Sequence, residues 1–214
     1  MKITKYEHAC FTVELNGKML VVDPGGYTTD FTPTENIVAV VVTHDHPDHF
    51  DAAALGAIIA HNPDAKVVAH ETITKQFGDN GETLPYQSVA SGDTITIDPF
   101  ELTFNGGDHA TIHDDLPHPV NLGVLINESI YYPGDSFVIP DQDVQILALP
   151  VSAPWSKLSE SIDFLTKVKP AIAFPTHDAI LSEAGKSLPD SMIPPFADKI
   201  GATYVRIDDS PLDV

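Results

Sequence analysis

Ile37-Val38-Ala39-Val40-Val41-Val42-Thr43-His44-Asp45-His46-Pro47-Asp48-His49 decides the reading of this chain. Its first half is an unbroken apolar run that reads as a buried strand. Its second half crowds three histidines and two aspartates into the turn that follows. In an extended backbone, side chains two apart share a face, so His44, His46 and Asp48 can converge on one point while the valines hold the backbone still. Neutral imidazole nitrogen and carboxylate oxygen are the donors expected of a catalytic Zn²⁺ or similar divalent ion that keeps a position open for water. His49 comes where the chain turns into a helix read over residues 51–60, so it can face a second centre. The plainer reading is a polar loop at a helix start, with Asp48 or Asp51 as the N-cap. The density of ligand-type side chains behind one buried strand favours the metal.

A length of 214 residues suits one α/β domain spanning 1–214, large enough to bury about 70% of its unfolded surface. Acidic residues number 31 against 11 basic ones, for a formal net charge of -20, and Arg206 is the only arginine. Such a surface repels phosphate backbones, which argues against nucleic acid as a partner. The one cysteine, Cys10, cannot close an internal disulfide and reads as a buried thiol. The first residues run into a strand, not into an apolar signal core, so a reduced, cytoplasmic setting is expected. No apolar stretch approaches the roughly 18 residues of a membrane span. A small-molecule substrate is the expected partner, and nothing in the sequence specifies an oligomeric state.

Strand-like segments occur at 2–6, 9–15 and 18–23, with Asn16-Gly17 as a hairpin turn between the last two. The strand to Val42, the 51–60 helix, a strand at 66–70 and a short helix at 71–77 complete a first half. After Gly78-Asp79-Asn80-Gly81, strand signals return at 94–97, 101–105, 122–126, 129–132 and 144–149. A helix follows whose apolar Trp155, Leu158, Ile162 and Leu165 recur at helical spacing. Pro170 stops it, with Lys167 and Lys169 in its last turn. A strand at 171–175 then ends at Thr176-His177-Asp178, and 185–195, with four breakers, reads as a loop. Each half thus starts with antiparallel strands and ends in a strand, a ligand-rich loop and a helix. The expected class is α/β: an αββα four-layer sandwich of two mixed β-sheets with helices on both outer faces.

The loop at 43–49 cannot saturate two ions alone, and three other strand ends supply donors. His109 stands in Gly106-Gly107-Asp108-His109, Asp135 in Tyr132-Pro133-Gly134-Asp135-Ser136, and His177 behind a third strand. His113 and His118 rival His109 in the loop-like 108–119 stretch. A lone Gly-Asp is by default a turn, and a lone histidine is by default structural. Together, however, these segments resemble the metallo-β-lactamase superfamily, whose hallmark is a strand-end THxHxDH motif followed by a lone His, a Gly-Asp and a late His. His8-Ala9-Cys10-Phe11-Thr12-Val13-Glu14, leading to Val21-Val22-Asp23-Pro24, also resembles a branch of small bacterial hydrolases that includes the L-ascorbate-6-phosphate lactonases.

The resemblance implies that His44, His46 and His109 bind one divalent ion, that Asp48, His49 and His177 bind a second, and that Asp135 bridges them. The expected cofactor is a pair of Zn²⁺ ions, with Mn²⁺ or Fe²⁺ also suited to histidine and carboxylate donors that include no thiolate. The implied activity is hydrolysis, a bridging hydroxide attacking an ester, lactone, amide or phosphoester while Asp48 acts as the catalytic residue that orients or relays the proton. The alternatives are a non-catalytic metal- or partner-binding protein on the same fold and a nuclease, which the charge opposes. His8 matches a branch feature near the metals, against the plainer reading of a structural histidine. Trp155 packs its helix onto the sheet or lines the substrate. Asp45 and Asp178 adjoin the proposed ligands and are open to accepting an imidazole proton. A substrate phosphate would want arginine or lysine, and Lys157 and Lys186 are the lysines to consider.

Overall fold

The computed structural model describes residues 1–79, 84–208 and 210–214. The chain opens with antiparallel strands β1 (Lys2–Lys5), β2 (Phe11–Leu15) and β3 (Lys18–Val22). Asn16 and Gly17 join the last two with φ values of 52° and 74°, the pair of left-handed residues that a tight hairpin turn asks for. Pairing then becomes parallel through β4 (Ile37–Val42), helix α1 (Ala52–His61), β5 (Lys66–His70), α2 (Glu71–Asp79) and β6 (Tyr86–Val89).

The second half repeats the plan. Strands β7 (Thr94–Ile97), β8 (Phe100–Gly106), β9 (Leu122–Ile126) and β10 (Ile130–Tyr132) are antiparallel. Parallel pairing follows through β11 (Ile146–Pro150), α3 (Leu158–Val168), β12 (Ile172–Thr176), α4 (Glu183–Met192), α5 (Pro194–Lys199) and β13 (Thr203–Tyr204). A last strand, β14 (Leu212–Asp213), returns to pair with β1. The seven-stranded sheets therefore run β14-β1-β2-β3-β4-β5-β6 and β13-β12-β11-β10-β9-β8-β7.

Alternation along each strand builds the layers. Ala39 and Val41 of β4 face inward with Phe11, Leu20 and Val22, against Phe104, Val124, Tyr132 and Phe174 of the opposite sheet. Val40 and Val42 point outward onto Leu55 and Ile58 of α1. In the second sheet Ile146 and Ala148 face the shared core, while Leu147 and Leu149 pack on Phe164 and Leu165 of α3. Strands covered on both sides become continuous apolar runs, and each buried valine or leucine contributes about 1.5–3 kcal/mol. The expected αββα layering is what these contacts form.

Several local expectations need correction. The stretch at 185–195 is not a loop: it forms most of α4 and the start of α5. Ser182 caps α4 by accepting the Gly185 N–H at 3.2 Å, Pro189 gives up a single ladder hydrogen bond, and Pro194 and Pro195 occupy the first turn of α5, where N–H groups have no helical partner. Helix α3 begins after Trp155, because Glu160 accepts the Lys157 N–H at 2.7 Å and fixes the helix start there. Asp51, not Asp48, caps α1, accepting the Ala54 N–H at 2.7 Å. Strands β6, β13 and β14 carry too little pattern to have been foreseen. Of the expected break at 78–81, Gly78 and Asp79 belong to α2, and Asn80 and Gly81 lie outside the described residues.

The turn before the ligand loop tolerates no side chain at Gly25, where a Cβ would sit 2.1 Å from the Asp48 carbonyl group and 2.4 Å from the His49 nitrogen. Gly25→Ala is therefore expected to lower unfolding free energy by about 3 kcal/mol or more. Gly17→Ala, with nothing within 4 Å but a φ of 74°, should cost only about 1 kcal/mol. Urea denaturation of the two variants beside the wild type checks both figures.

Candidate metal centre

Each nominated donor follows the C-terminal end of a strand, and the packing of the sheets brings those ends together. His44 to His49 follow β4, His109 follows β8, Asp135 follows β10 and His177 follows β12. Donor atoms of His44, His46, His109 and Asp135 lie within 4.8 Å of one another, as do those of His8, Asp48, His49 and His177. Asp135 stands between the groups. Its Oδ1 is 3.1 Å from His49 Nε2, and its Oδ2 is 3.0 Å from His177 Nε2 and 3.3 Å from His109 Nε2. His113 and His118, the rivals of His109, are exposed.

The outer ring nitrogens decide what the inner ones can do. His109 Nδ1–H donates to the Ala110 carbonyl at 2.5 Å, and His177 Nδ1–H to the Ser152 carbonyl at 2.6 Å. His49 Nδ1–H donates to Asp23 Oδ2 at 2.7 Å. Thr43 Oγ1 donates to the same carboxylate at 2.6 Å, so it accepts from His44 Nδ1–H at 3.1 Å. A neutral imidazole protonated on Nδ1 presents a lone pair at Nε2. The Nε2 atoms of His44, His49, His109 and His177, with Asp135 Oδ1, are buried and have no hydrogen-bond partner. Each such atom costs about 1–3 kcal/mol, and their convergence on one spot fits a bound cation.

A cation would have to displace protons that the carboxylates draw onto two of these rings. Burial pushes the His44 imidazole well below its usual pKa. Burial also opposes charge on His49 and His177, yet the carboxylates outweigh it: Asp135 and Asp23 raise His49 well above the usual value, and Asp135 and Asp48 raise His177 to about 9. Against the burial that would raise them, the carboxyls of Asp48 and Asp135 are held below the usual carboxylate range by the surrounding histidines. Ionised carboxylates in a buried site call for positive charge beside them.

Two supporting residues escaped the sequence reading. Asp23, fully buried, accepts the Thr43 N–H at 2.8 Å besides the bonds from Thr43 Oγ1 and His49; the sequence offered it only as part of Val21-Val22-Asp23-Pro24, with no role attached. Asn121, also buried, donates to the Pro133 carbonyl and accepts the Asp135 N–H, both at 2.9 Å, so it braces the turn that presents Asp135. Trp155 does not pack a helix onto the sheet. Its Nε1–H donates to Asp135 Oδ2 at 2.7 Å, and its ring centroid is 6.1 Å from those of both His109 and His177. Asp178 receives Arg206, and the His177 Nδ1 proton goes to the Ser152 carbonyl instead. His8 and His177 both adopt left-handed backbone, with φ of 55° and 63°, an uncommon conformation for non-glycine residues that clusters at functional sites.

A family model described as the β-lactamase superfamily domain matches residues 2–177. Protein Rv0786c of Mycobacterium tuberculosis is 33% identical over 193 residues, covering 88% of this chain and 89% of its own. The UPF0173 metal-dependent hydrolase MJ1163 of Methanocaldococcus jannaschii is 26% identical over 195 residues, covering 82% of this chain and 83% of its own. Among solved structures, the metallo-β-lactamase fold protein YhfI of Bacillus subtilis matches with a TM-score of 0.69 at 16% identity, covering 99% of this chain and 97% of its own. The chain belongs to the metallo-β-lactamase superfamily of metal-dependent hydrolases.

Proposed function

We propose that the protein is a two-metal hydrolase that cleaves an ester, lactone or phosphoester of a small molecule. The observation that carries this reading is the set of buried, unpartnered Nε2 atoms gathered about Asp135. His44, His46 and His109 would hold one divalent cation and Asp48, His49 and His177 the other, with Asp135 shared. When bound, such a pair lowers the pKa of a coordinated water and offsets the negative charge that develops on the attacked centre. Zn²⁺ suits these donors, as do Mn²⁺ and Fe²⁺. Cys10 is no ligand: burial pushes its thiol up to about 12, and it lies in the apolar layer under α1.

The chain's own groups divide the remaining work. Asp48 keeps its side chain 20% exposed, against 4% for Asp135, so it is the carboxylate placed to orient a nucleophile or take a proton on the substrate side. Trp155 donates to Asp135 Oδ2, which fixes the orientation of that nearly buried carboxylate. Arg206 is bound to Asp178 and Asp190, which leaves a substrate phosphate without its usual bidentate partner. Uncharged lactones and esters are therefore the first arm of an activity panel, phosphoesters the second, and thioesters the third. No helix among the described residues is long and apolar enough to cross a membrane.

Metal analysis of reconstituted protein, run beside that panel, tests the proposal. Two ions per chain and turnover on one arm are expected, and Asp135→Ala should lower turnover by more than about 100-fold. Wild-type turnover together with a full metal complement in Asp135→Ala would overturn the assignment. Trp155 supplies a second reading, being the only tryptophan and hydrogen-bonded to Asp135. Its fluorescence should change as metal is added to chelator-treated protein and saturate when the metal content does. Emission that ignores bound metal would remove Trp155 from the centre.

A further inference from the structure

We propose that His8 is a positioning residue that donates a hydrogen bond to Asp48 and is not itself a metal ligand. The inference rests on the two-metal reading and sharpens it. Proximity alone would make His8 a further ligand, since it is fully buried and its donor atom lies with those of Asp48, His49 and His177.

Tautomer chemistry assigns it otherwise. The Ala179 N–H points at His8 Nδ1 from 3.3 Å. A backbone N–H can only donate, so Nδ1 accepts and the neutral ring carries its proton on Nε2. That Nε2 is 3.0 Å from Asp48 Oδ2. A nitrogen that holds a proton has no lone pair to offer an ion.

His8 is thus the inverse of its neighbours. In His44, His49, His109 and His177 the Nδ1 atom meets an acceptor and Nε2 is left without a partner. In His8 the Nδ1 atom meets a donor and Nε2 is satisfied. The ring is held in place from several directions. Its carbonyl accepts Lys5 Nζ at 2.6 Å and the His177 N–H at 2.9 Å. Its face lies 4.0 Å from the His177 ring and 5.1 Å from Tyr27, centroid to centroid. The same Oδ2 lies 3.4 Å from His177 Nε2 and 3.7 Å from His49 Nε2, so the bond from His8 holds Asp48 in a rotamer that turns this oxygen toward the site and leaves it a second lone pair for whatever occupies it.

The test compares His8→Gln, whose amide N–H can replace the donor, with His8→Phe, which keeps a ring and loses the donor. Both are loaded with Co²⁺ for its electronic spectrum and with Zn²⁺ for metal affinity and steady-state kinetics. His8→Gln should keep the wild-type cobalt band positions and metal content. His8→Phe should bind metal about 10–100-fold more weakly and lose kcat more than KM. Equal metal loss and shifted cobalt bands in both variants would overturn the inference. Wild-type protein labelled with ¹⁵N-histidine and loaded with Zn²⁺ gives a measurement that no folding defect can confuse. The ring resonance that disappears in His8→Gln should belong to an imidazole protonated on Nε2, and a metal-bound Nε2 there would refute the assignment. Wild-type protein that binds no metal would sink the two-metal reading, whereas metal-loaded protein with a coordinated His8 sinks this inference alone.

Discussion

Asp23 accepts hydrogen bonds from the Thr43 backbone, the Thr43 hydroxyl and the His49 ring, all within 2.8 Å. A buried carboxylate so surrounded costs little to bury and much to disturb, since removing it would strand three donors with no solvent to replace it. It couples the end of β3 to the loop after β4, and through Thr43 and His49 it sets the tautomers of two imidazoles. From there the constraint spreads to Asp135, whose own turn is braced by Asn121. The site is therefore a consequence of strand ends pinned to one another, more than of any one loop.

Neither half of the molecule holds the centre by itself. The first sheet contributes the segment from His44 to His49 and the second contributes His109, Asp135 and His177, so the donors meet only when Phe11, Leu20 and Val22 have closed on Phe104, Tyr132 and Phe174. The repeated change from antiparallel to parallel pairing gives each sheet parallel strands whose C-terminal ends reach the same rim. Open α/β sheets commonly bind ligands at such ends. The excess of acidic residues, -20 in formal charge, surrounds an interior that itself favours cations.

What could be read from the sequence was local. The stretch from Ile37 to His49 declares a buried strand and its ligands within one short window, and the resemblance it carries led to His109, Asp135 and His177. The layering followed from the same periodicity. Reading failed where a residue's meaning depends on a distant partner. Proline at 189, 194 and 195 looked like breakage because its effect is set by helix position: Ser182 fixes the start of α4, and Pro194 and Pro195 fall in the first turn of α5. Trp155 matched a helical stripe, yet its partner is Asp135, across the site. The proton of His8 is decided by Ala179, far along the chain, and no motif encodes that contact.

The unpartnered nitrogens of His44, His49, His109 and His177 also bear on the life of the protein before any substrate arrives. A cation that binds only the folded chain adds RT ln(1 + [L]/Kd) to stability, about 2.7 kcal/mol when the free ion is at 100 times its Kd. Against a typical margin of about 5–15 kcal/mol, that is a sizeable share. Under the two-metal reading, metal supply would govern how long the folded chain survives proteolysis and heat, and scarcity would lower its abundance before it slowed any turnover.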